Sequence, residues 1–195
     1  MAQDIVSTLR EAAGTNSGLV RSLGPTDESR VSAAEARLGL TFPQSYRDFV
    51  LEFGALEVGT RQVYGISDSP DTISGLNVVW HTEQARAHRD VTHAWLVVSS
   101  WDDMTLELAK VLDDSGQTID GPVVERLVEG AGERLAASFA EWLERTVHEA
   151  LEDASASRDT TLLGVTEAAK PSRSAPSSRS THFAVSRTSV ANRSR

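Results

Sequence analysis

Trp101, Asp102 and Asp103 stand together in WLVVSSWDDM, a large aromatic and two carboxylates at the exit of an apolar run. Paired carboxylates divide acid and base roles when their surroundings push their pKa values apart, and with further oxygen ligands they hold magnesium or calcium. Adjacent residues of an extended chain point to opposite faces, so Asp102 and Asp103 do not form such a site alone. An aromatic anchor flanked by acid suits a different task, the docking of a basic and partly apolar protein. Asp113 and Asp114, just before Ser115 and Gly116, read as hairpin-turn chemistry. His81, His88 and His93, with Glu83 or Asp90, include the right ligand types for a metal. Their spacing is wrong for one, because His81 and His88 fall two helical turns apart and His93 lies past the helix. Cysteine is absent, which excludes disulfides, thiolate nucleophiles and cysteine-ligated zinc. The chain also lacks a P-loop, a dinucleotide-binding glycine fingerprint and a nucleophile elbow. No catalytic residue, metal or cofactor is assigned, and the expectation is a binding protein rather than an enzyme.

The elements that must position these residues are marked by periodicity. Tyr46, Phe49, Val50 and Phe53 fall at i, i+3, i+4 and i+7, which predicts a helix from about Pro43 to Phe53 with one apolar face. Pro43 suits its first turn and Gly54 the residue past its end. Before it, VSAAEARLG predicts a second helix with Ser32 and Glu35 as a capping box, Val31, Ala34 and Leu38 on one stripe, and Gly39 as the stop. Asp4 to Ala13 is amphipathic with Ile5 and Leu9 inward, and GTNSG followed by RSLGPTDES reads as break and polar turn. RQVYGIS and WLVVSSW read as strands, and NVVWHTEQARAHR as a helix with Val79, His81 or Thr82, and Ala85 on one face. LELAKVL and the turn DDSGQ predict a hairpin, with QTIDG or PVVERLV returning. Ser138 and Glu141 cap a last helix whose Phe139, Trp142, Leu143, Val147 and Ala150 share a face. Helices and strands in this order give an α+β domain, with helices flanking a mainly antiparallel sheet.

The run AEARLGLTFPQSYRDFVLEFG resembles the opening of the SUKH superfamily, which takes in fungal cell-wall-synthesis regulators and bacterial toxin-immunity proteins. The matching positions are Glu35, Leu38, Gly39, Pro43, Tyr46 and Phe49. VYGI at 63–66, WLVVSSWDD at 95–103 and SFAEWLE at 138–144 follow in the family's order, and Gly65, Phe139 and Trp142 fall on its structural positions. The resemblance implies the fold and a role in binding proteins. It transfers no functional residue, because the partner-binding surface of the family varies. The organisation expected is an N-terminal helix and lead-in over 1–30, a SUKH-like domain over 31–153, and a disordered Ser/Arg-rich tail over 154–195.

Charge sharpens the partner. Residues 1–153 hold 12 Lys or Arg against 26 Asp or Glu, a charge of −14, while 154–195 hold seven against two, a charge of +5. So acidic a body repels nucleic acid and attracts basic proteins, or the acid does no more than keep a small domain soluble. The leading expectation is an immunity protein that occludes a basic toxin, such as a nuclease. The alternatives are a regulatory scaffold of the cell-wall type and, third, a metal-dependent enzyme built on residues 81–103. Candidate partner-binding residues are Tyr64, Asp68, Asp71, Trp101, Asp102 and Asp103; Tyr64 and Trp80 could extend that surface or equally be buried, and for Trp80, beside Val79 on its helix, burial is expected. With no secretory start and no apolar run of about 20 residues, a soluble cytoplasmic protein is expected, without membrane or nucleic-acid contact.

Overall fold

The computed structural model describes residues 7, 9–11, 18–66, 75–100, 105–127 and 132–164, with side chains as far as Asp153. Residues 7 and 9–11 are helical, and after them, among the described residues, seven strands and four helices follow in the order β1 (Val20–Ser22), α1 (Glu28–Leu38), α2 (Gln44–Phe53), β2 (Leu56–Val58), β3 (Arg61–Val63), α3 (Val78–His88), β4 (Trp95–Ser100), β5 (Thr105–Lys110), β6 (Val123–Leu127), β7 (Arg134–Ala136) and α4 (Phe139–Gly164). The α+β reading holds. The sheet comes in two antiparallel parts, β1-β2-β3 and β4-β5-β6-β7. They meet where the Tyr64 N–H donates to the Val98 carbonyl at 2.8 Å, and Val98 is the residue at which the β4–β5 register slips.

The helices lie where their apolar stripes require. Val31, Ala34 and Leu38 of α1 are buried, as are Tyr46, Phe49, Val50 and Phe53 of α2. Phe139, Trp142, Leu143, Val147 and Ala150 of α4 join them. Helix α4 touches both sheets, through β2 and β7, and α3 covers β4. Each fully buried large side chain stabilises the fold by about 2 kcal/mol. At the base of α4 the expected capping box forms, with the Glu141 N–H on Ser138 Oγ at 3.3 Å. Its other arm differs by one residue, Glu141 Oε2 accepting from the Ala137 N–H at 2.8 Å.

Three expectations need correction. The first concerns α1, which begins a turn before the predicted start. Asp27 is its cap and accepts from the Arg30 N–H at 2.9 Å, and Ser32 stands exposed inside the helix. A carboxylate two residues after Pro25 offers the first turn a charged acceptor before Ser32 is reached. Glu35 is thereby released for another task. Its Oε1 accepts from the Phe42 N–H and from Arg47 Nη1, both at 2.7 Å, and Arg47 Nη2 bonds Glu28. The acid of α1 thus fixes the corner into α2, helped by Gly39 at φ 68°.

The second correction is at 20–22, read as part of a polar stretch but forming β1, paired with β2 from Val20↔Val58 to Ser22↔Leu56. Three residues are too few to show alternation, and only Val20 of the three is buried. The third is β7, which carries no strand pattern of its own and extends the sheet beyond β6; β6 itself is the PVVERLV stretch, one of the two alternatives for the returning strand. At the N-terminus, Leu9 is buried as predicted, while most of 4–13 lies outside the described residues. Of the tail expected from 154, the backbone is described as far as Gly164, over which α4 continues, and 165–195 lie outside the described residues.

Glycines make the join between the lead-in and the two sheets possible. Gly54 has φ 65° and ψ −70°, and the Ala55 N–H reaches back to the Phe53 carbonyl at 2.7 Å, a γ-turn. A Cβ at Gly54 would stand 2.4 Å from the Gly24 carbonyl oxygen, and one at Gly65 1.7 Å from the Gly54 oxygen.

Gly65→Ala therefore cannot be accommodated without moving backbone, and a loss of at least about 3 kcal/mol, or failure to fold, is expected in urea denaturation. Glu35→Ala should cost about 2 kcal/mol, because it leaves the Phe42 N–H without its acceptor and takes from Arg47 one of its two carboxylates, Glu28 being the other. Glu35→Gln, which keeps an acceptor but not the charge, should cost about half of that in the same measurement.

Candidate protein-binding site

Of the six residues nominated for partner binding, Tyr64 is the one within the described residues; Asp68, Asp71, Trp101, Asp102 and Asp103 lie outside them. Tyr64 is 2 % exposed, so its ring does not form open surface. It follows β3, and its ring faces His81 of α3 in a parallel stack, centroids 3.8 Å apart and planes 4° apart. Trp80 meets the same imidazole edge-on at 4.7 Å. The Tyr64 hydroxyl shares a hydrogen bond of 2.5 Å with Ser100 Oγ, the last residue of β4 before Trp101. Burial raises the Tyr64 phenol above its ordinary value of 10, with the nearby Glu107 acting in the same direction and the Ser100 bond opposing both. Tyr64 supports the exit of β4 from beneath.

Helix α3 positions the stack. Asn77 caps it, its Oδ1 accepting from the Val79 N–H at 3.0 Å, and Val78, Val79, Thr82 and Ala85 face inward. Of the two residues the pattern allowed on that face, Thr82 is the buried one, and its Oγ1 accepts from the Val97 N–H at 3.1 Å. His81 then falls at the margin. Its Nε2 bonds the Gly75 carbonyl at 3.1 Å, so Nε2 carries the proton. Burial pulls the imidazole below its ordinary 6.5, the Gly75 bond acting the other way. Trp80 is half-buried rather than enclosed. Together Trp80, His81, Gln84, Ser100 and Leu106 line a half-open groove of about 310 Å³.

A second polar cluster was not foreseen. Glu107, 2 % exposed in the middle of β5, is held by Arg61 of β3 at 3.0 and 3.2 Å. This pair crosses from one sheet to the other beside Tyr64. The signal was present as a charge in the apolar run LELAK, but nothing in the sequence names Arg61 as its partner. Asp113 matches the turn reading: its Oδ1 accepts from the Ser115 and Gln117 N–H groups, both at 2.9 Å.

The chemistry available to this arrangement is recognition: aromatic faces, a hydroxyl pair and a shallow groove. Among the described residues no group of three or more His, Asp or Glu lies close enough to hold a metal ion. No helix among them is long and apolar enough to cross a membrane.

The class of protein is defined by its frame, an α+β domain in which helices pack two antiparallel sheets. A family model described as SUKH_5, SMI1-KNR4 cell-wall, matches residues 2–148, and the chain belongs to that family. No curated protein matches it.

Stability should register the buried imidazole. His81 in the unfolded chain gains a proton near pH 6.5, and in the folded chain only at lower pH, so its contribution is intact above about 6.5 and declines as pH falls below it. His81→Phe, which keeps a stacking ring and cannot titrate, should flatten the fall in thermal midpoint between about pH 7 and pH 5. An unchanged slope would show that His81 does not titrate differently in the two states.

Proposed function

We propose that this chain is an immunity protein: it binds a protein toxin and neutralises it by covering a basic active cleft, such as that of a nuclease, with an acidic surface. One observation carries the reading. The body holds a charge of −14 over 1–153, and at least eight of its twelve Lys and Arg already stand against carboxylates of the same chain. The cations are largely spent internally, and the excess acid is left for solvent or a partner.

Exposed Glu141 and Glu144 along α4 exemplify that excess, whereas Glu149 stands with Arg145. Carboxylates spaced along a rigid surface imitate a phosphate backbone, and complementary charge speeds encounter. In this reading Trp101 supplies an apolar anchor beside Asp102 and Asp103, Asp68 and Asp71 add charge, and Tyr64 stiffens the strand end that leads to the anchor. Inhibition then needs no bond-making, only steric blockade. Membership of a family described by cell-wall proteins supports a second reading, a regulatory scaffold for a cellular partner, in which the same surface binds without inhibiting a toxin.

The test is calorimetry of the full chain with the toxin encoded beside its gene, at about 50 and about 300 mM salt. Expected are a one-to-one complex, loss of toxin activity in it, and affinity that weakens steeply with salt. Absence of binding at both concentrations would overturn the immunity reading. Replacing Trp101 by Ala should weaken the complex by about 2 kcal/mol while leaving the thermal midpoint unchanged.

A further inference from the structure

Beyond the aromatic stack the groove opens into a second lobe of about 380 Å³, between the C-terminal end of α3 and strands β5 and β6. Its lining has the opposite sign to the body. His88, Arg89 and Arg126 surround Leu106 and Leu127, with Asp90 at one edge. Arg126 Nη1 donates to the Asp90 carbonyl at 3.2 Å, and among the described residues its charge meets no carboxylate in an ion pair. Leu127 is 45 % exposed, one of two large apolar side chains left so open among the described residues. A guanidinium over an open leucine in a concave site matches a carboxylate carried next to an apolar side chain.

We propose that this lobe docks an acidic, apolar-spaced peptide segment of a partner protein, with a carboxylate on Arg126 and Arg89 and an apolar side chain over Leu106 and Leu127. Charge complementarity selects this occupant. A body of −14 repels anions at long range, so an acidic segment is held only where cations are concentrated locally. The surface is opposite in sign to the toxin-facing one and does not depend on that reading.

The test is fluorescence anisotropy of the full chain with a labelled hexapeptide alternating Glu and Leu, beside peptides alternating Gln and Leu and alternating Glu and Ser. Saturable binding is expected for the Glu–Leu peptide and not for the other two. Arg126→Glu should weaken it at least about tenfold, and Leu127→Ser several-fold, whereas Arg21→Glu on β1 should leave it unchanged. If Arg126→Glu does not fold, Leu127→Ser decides the matter. Absence of saturable binding, equal binding of the Gln–Leu peptide, or an equal loss in Arg21→Glu would overturn the proposal. Sedimentation showing a dimer that Leu127→Ser dissociates would assign the lobe to a second copy and overturn it too.

Discussion

The Tyr46 hydroxyl lies in a core built of Phe42, Phe49 and Phe139, where an unbonded O–H would cost several kcal/mol. It donates to the Tyr64 carbonyl at 2.8 Å. The ring packs edge-on against Phe42 and Phe139, each at 5.0 Å, so one side chain reaches the α1–α2 corner, the last helix and the crossing between the sheets. The Tyr64 main chain, so held, gives its N–H to Val98 and directs its side chain to His81 and Ser100. The aromatic stack beside the groove is thus tied to α2 through the Tyr64 backbone. Burial raises the Tyr46 phenol well above its ordinary value of 10, which favours the protonated form that donates this bond.

Two polar devices support that arrangement. Glu35 closes the corner ahead of Tyr46 by accepting from Phe42 and Arg47. Arg61 and Glu107 tie the sheets beside Tyr64. Both pairs place charge where solvent barely reaches, so each needs both its members, and losing one partner costs more than the pair itself contributes.

Helices α1, α2 and α4 were legible because each repeats an apolar residue every three or four positions and carries a readable end signal: Gly39 and Gly54 where α1 and α2 stop, Ser138 with Glu141 where α4 starts. Strands of three residues, such as β1 and β7, carry too few positions for any period, and pairing alone defines them. Glu35 shows the limit of local signals. Its spacing from Ser32 fits a capping box, but Asp27 took the cap, and what claims Glu35 is Phe42 and Arg47, brought near by the turn at Gly39. The stack of Tyr64 and His81 joins residues 17 positions apart, through a crossing that periodicity does not encode. Site legibility was lower still, since recognition surfaces are made of ordinary aromatic and charged residues with no required spacing.

The backbone knot of Gly24, Gly54 and Gly65 places main chain directly against main chain, with no side chain between. The seam between lead-in and sheet is therefore indifferent to what the outward-facing positions carry. Exchanging side chains elsewhere leaves this bare-peptide contact intact, whereas adding a single methyl group at Gly54 or Gly65 pries it apart.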